Sequence, residues 1–153
     1  MHAYEHTQPG TLTRIVLGLV VFASGSVAIV DRSPDSAVVF VSVALVTVVV
    51  LAAFHALTIR VSYNEIQIIF GMGLPRKTFL IQDIVSTSIV RNHWYHGWGI
   101  RYFGGGWLYN VSGFDAVELE LANGRKARLG TDEPQELRTA IEVATKQLKH
   151  SEL

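Results

Sequence analysis

The chain has no cysteine, which removes disulfides, thiolate nucleophiles and cysteine-type zinc sites from consideration. It also lacks a surplus of either charge: thirteen Lys and Arg stand against thirteen Asp and Glu in 153 residues. A surface that neutralises phosphates needs a basic excess, so no nucleic-acid partner is expected. The usual catalytic strings are missing as well. No G-x-S-x-G, G-x-G-x-x-G or Walker loop occurs, and Ser86, Ser88 and Ser112 fall on expected strands or turns without an oriented base beside them. His93 and His96 have a spacing that shares a metal on a helix, but Gly97 and Gly99 argue against a helix there and no third ligand stands nearby. No cofactor, metal or catalytic residue is expected.

What the sequence does have is two long apolar runs. Ala37 to Ile59 (AVVFVSVALVTVVVLAAFHALTI) carries no formal charge. A helix of that length reaches about 34 Å, enough to cross a hydrocarbon core of about 30 Å with some tilt. Ile15 to Val30 is a second uncharged run, which extends to Leu12 if Arg14 snorkels to the interface. A signal peptide is the rival reading of this first run, but no Lys or Arg precedes Arg14. The sequence therefore predicts a polar segment at 1–11 and a membrane hairpin at 12–59. Its spans are 12–30 and 37–59, joined by the polar turn Asp31–Ser36 around Pro34. Arg32 is the only base in that turn, whereas Arg14, Arg60, Arg76 and Lys77 lie on the other side. That bias puts the termini and the downstream domain in the cytoplasm, in a multi-pass protein of the cytoplasmic membrane. His55 is read as an interfacial histidine.

From Leu57 onward the pattern has period two. Thr58–Tyr63 and Ile66–Phe70 read as a hairpin, followed by strands at 76–80 and 84–90 with a break at Gln82-Asp83. Shorter strands are expected near Trp98–Tyr102 and Trp107–Val111. The strand at 116–121 returns through Asn123-Gly124, a hairpin turn, to 126–130. A helix follows at about 133–149, capped by Thr131 or Asp132 with Gln135 completing a capping box, and Leu137, Ile141, Ala144 and Leu148 share one face. This is an α+β chain: a membrane hairpin, then about seven antiparallel strands in a bent sheet or partly open barrel closed by the C-terminal helix.

Residues 91–113 hold all three tryptophans. Three readings compete for this stretch: Trp98, Ile100, Trp107 and Tyr109 fill a small core; some of Trp94, Tyr95, Tyr102 and Phe103 sit as an aromatic belt at the lipid interface; or the cluster, with Arg91 and Arg101, forms a groove for a partner.

The strings GWGIR at 97–101, GGWLYNVSG at 105–113, AVELEL at 116–121, NGRKARLGT at 123–131 and DEPQEL at 132–137 resemble the bacterial pleckstrin-homology-like domain of membrane-anchored proteins. The likeness covers roughly residues 57–150. It implies a non-enzymatic binding or scaffolding module that meets lipid, another membrane protein or a second copy of itself at the membrane surface. The chain has only Arg76-Lys77 where a concentrated basic loop would hold inositol lipids, so that specificity is not expected. Two alternatives are a small enzyme or subunit acting on a lipid head group, with His93, His96 and Arg101 as its active groups, and an accessory subunit of a larger membrane complex.

Overall fold

A computed structural model describes residues 4–151, apart from the side chains of His96 and Ser151. The chain begins with β1 (Tyr4–Pro9), crosses one residue, Gly10, and enters α1 (Thr11–Asp31). Arg32 and Ser33 turn it into α2 (Pro34–Phe54), where Ser33 caps the new helix by accepting the Ser36 amide and Pro34 takes the first helical position. A single residue, His55, then separates α2 from β2 (Ala56–Val61). Because β1 pairs with β2 along its whole length, from Tyr4↔Val61 to Pro9↔Ala56, the helical hairpin is an insertion between two paired strands.

This corrects two expectations. Residues 4–9 of the polar leader form a strand; residues 1–3 lie outside the described residues. The second apolar run does not stay helical to Ile59. After Phe54 its residues alternate between buried and half-buried, with Leu57, Ile59 and Val61 turned inward, and pairing on both sides of β2 outcompetes continuation of the helix. The first run is helical slightly beyond its expected ends. Both helices are long and apolar enough to cross a membrane. α1 buries no residue and α2 only Thr47, so nearly their whole apolar surface faces outward. That is far more than a water-soluble surface carries.

The remaining strands are β3 (Glu65–Phe70), β4 (Arg76–Leu80), β5 (Ile84–Arg91), β6 (Gly99–Tyr102), β7 (Gly106–Asn110), β8 (Asp115–Leu121) and β9 (Lys126–Gly130). They make two sheets, β1-β2-β3-β4 and β5-β8-β9-β7-β6. Among the described residues nine strands thus replace the expected seven or so, and the sheets do not close into a barrel. One contact, β7 with β9, is parallel, where an all-antiparallel arrangement was expected. The reason lies in the connections. The segments 92–98 and 111–114 each pass the same end of the second sheet, which carries the β6–β7 hairpin beyond β9 and seats it there. Gly106 makes that seat: a Cβ on it would lie 1.7 Å from the Lys126 carbonyl oxygen.

α3 (Pro134–Ser151) packs its Leu137, Ile141 and Ala144 into the core between the sheets, all fully buried. Each large apolar side chain there contributes about 1.5–3 kcal/mol relative to exposure. Its start departs from the expected capping box. Thr131 Oγ1 accepts the Glu133 amide at 3.0 Å, while the Asp132 carboxylate reaches across to His6 Nε2 at 2.7 Å.

Candidate functional site

The strands β4 and β6 end their respective sheets, and neither pairs with the other. Between them the core opens into a groove of about 810 Å³. Its floor is aromatic: Phe70, Phe79 and Tyr109 are buried and meet ring to ring, with Phe79 edge-on to Tyr109 at 6.0 Å. Trp107 and Ile100 form the wall on the β6–β7 side. Register explains why these residues face one another. Ile100 opposes Tyr109 and Tyr102 opposes Trp107 across the hairpin, so alternate residues of β6 and β7 share the inward face.

The rim is basic. Arg76 and Lys77 come from β4, and Arg125 and Lys126 from the β8–β9 turn, with Asp83 as the acidic member. Lys126 is neutralised, since its Nζ lies 2.8 Å from Glu118 Oε1. Arg76, Lys77 and Arg125 form no ion pair among the described residues; Lys77 lies over the Phe79 ring at 5.8 Å. Tyr109 lines the groove, and burial pushes its phenol up. An apolar cleft with three uncompensated cations and a phenol suits an occupant that is both acidic and apolar.

Behind β9 a second polar cluster braces this rim. Glu118 is almost buried and takes hydrogen bonds from Lys126 Nζ and Arg128 Nε. Burial alone would raise its carboxyl, but those bonds and the two positive charges outweigh it and hold the carboxyl below its ordinary range. Arg128 also donates to Asn92 Oδ1 at 3.2 Å and lies 4.1 Å from the Phe103 ring centroid.

The residues of the aromatic stretch fall in several different places. Trp107 lines the groove, and exposed Tyr102 packs edge-on to it at 5.7 Å. Phe103 folds back over Arg128. Trp98 lies against the helices, lining a small cavity with Leu12, Val16, Leu17 and Val50 while its indole N–H donates to the Gly113 carbonyl. Arg101 holds the same turn by donating to the Trp98 carbonyl at 2.9 Å. Trp94 and Tyr95 stand exposed beside it. Phe70, Phe79, Arg76, Lys77 and Arg125 were not singled out as site residues by the sequence reading, because they meet only when two separate sheets are assembled; the unpaired Arg76-Lys77 was the one visible hint.

The groups of the enzymatic alternative have other neighbours where they are described. His93 stacks on Tyr95 at 5.0 Å, Arg101 is engaged with Trp98, and the His96 side chain lies outside the described residues. Among the described residues no three histidine or carboxylate side chains converge on a metal position. No protein-family model, curated protein or solved structure matches the chain.

Proposed function

We propose that this protein is a membrane-anchored, non-enzymatic binding module of the pleckstrin-homology-like kind, whose groove receives an acidic, partly apolar segment of a partner protein at the membrane surface. One observation carries the reading: Arg76, Lys77 and Arg125, which form no ion pair among the described residues, rim an aromatic groove at the open edge between two sheets. The family likeness rests on the sequence strings and on the run of strands ended by an amphipathic C-terminal helix. The free edge of β4 supports an extended protein segment as the occupant, since a strand laid there gains backbone hydrogen bonds as well as side-chain contacts. The Lys and Arg bias across the helices supports a cytoplasmic domain on a bacterial inner membrane.

A photo-crosslinking residue in place of the exposed Thr78 on β4 tests this in cells. The expected result is a discrete crosslinked species that disappears in the triple variant Arg76→Glu, Lys77→Glu, Arg125→Glu while the domain keeps its thermal midpoint. Crosslinks that persist in the folded triple variant, or none at Thr78, contradict the proposal.

A further inference from the structure

Two parts of the domain reach down beside the end of α2. The first is the β3–β4 turn. Its Gly71 amide donates to the Ala56 carbonyl at 2.9 Å, and its Met72 amide donates to the Ala52 carbonyl at 3.1 Å. Gly71 permits this approach, because it adopts a positive φ of 46° and a Cβ there would lie 2.1 Å from the Ala52 oxygen. The tip of the turn is apolar and open, with Met72 at 84% and Leu74 at 71% exposure. The second part is the 94–98 segment. Trp98 is set against Val50 of α2 and Leu12, Val16 and Leu17 of α1, and the same segment presents Trp94 at 77% and Tyr95 at 64% exposure.

Helical geometry relates the two. Val50 and Ala52 differ in height by about 3 Å and in direction by about 200° around the axis. The two parts therefore grip different flanks of α2 at nearly one depth, within its last two turns. Just below that depth the helix surface is outward-facing valine, at Val46, Val48 and Val49. An apolar tip of this kind suits a membrane interface, where it enters the acyl boundary.

We infer that Met72 and Leu74 on one side, and Trp94 and Tyr95 on the other, form a two-footed docking surface for the lipid bilayer. The surface fixes the tilt of the domain about its helices and hence the height of the groove. The bilayer is the occupant because both segments adjoin the end of the apolar helices, the turn through its bond to the Ala52 carbonyl and the 94–98 segment through Trp98 beside Val50. This inference rests on the reading of α1 and α2 as membrane-spanning.

Since the chain has no cysteine, single nitroxide labels at Met72→Cys, Trp94→Cys, Val46→Cys and Asn123→Cys test it in vesicles of phosphatidylethanolamine and phosphatidylglycerol. Collision rates with oxygen, which concentrates in lipid, are compared with those of a water-soluble nickel chelate. Labels at 72 and 94 are expected to collide more with oxygen than with nickel, as at 46, while 123 shows the reverse. Labels at 72 and 94 that behave like 123, with 46 still in lipid, overturn the docking surface and leave the spanning helices intact. Dipolar broadening between labels at 94 in neighbouring molecules, without oxygen preference, overturns it in favour of a second copy of the chain. A label at 46 that meets nickel freely overturns the spanning reading and the docking surface with it.

Discussion

Glu118 is the residue whose environment makes the clearest solution prediction. Its carboxyl is held below the ordinary carboxylate range in the folded chain, so its contribution is fully present above the unfolded value and is lost as the pH falls through the folded one. Glu118→Gln removes that dependence. Urea unfolding in detergent should show the variant less stable than the parent at pH 7, with the gap narrowing below about pH 4.3. A gap that stays constant into acid contradicts the assignment. The predicted hairpin of 116–121 with 126–130 already places Glu118, Lys126 and Arg128 on one face, but it does not reveal that Asn92 and Phe103 close on Arg128 there.

At the scale of elements, the strands from β2 to β9 were legible because each alternates over a few residues and is punctuated by Gly, Asn or Asp. β1 was not. Tyr4–Pro9 is polar, with Gln8 its only fully buried residue, and it becomes a strand only by pairing with β2 across the whole helical hairpin. The open edge between β4 and β6 was equally illegible, since it depends on the order of strands in space. The junction of α2 with the sheets yields a further prediction. Gly71→Val forces a β-branched side chain into a positive-φ turn and into the Ala52 carbonyl, which should destabilise the domain by about 1–3 kcal/mol. The exposed control Gly124→Val, at a φ of 76° and with nothing within 4 Å of a Cβ, also carries a positive-φ penalty. The difference between the two variants in thermal unfolding therefore isolates the contact with α2, and equal losses contradict the close packing of turn and helix.

The whole molecule is governed by its two one-residue junctions, Gly10 and His55. The Gly10 amide donates to the His55 carbonyl at 2.8 Å, and Arg14 Nη2 reaches the same oxygen at 3.1 Å. With β1 paired to β2 along its whole length, these two junctions join the helices directly to the first sheet. The central claim is that α1 and α2 cross a bilayer with the groove-bearing domain on its cytoplasmic side. Cysteine accessibility in intact bacterial cells tests it most directly, using Ser33→Cys in the helical turn and Asn123→Cys at the groove rim with a membrane-impermeant maleimide. The account predicts that Cys at 33 is labelled from outside and Cys at 123 only after the inner membrane is permeabilised. Labelling of both positions from the same side contradicts it.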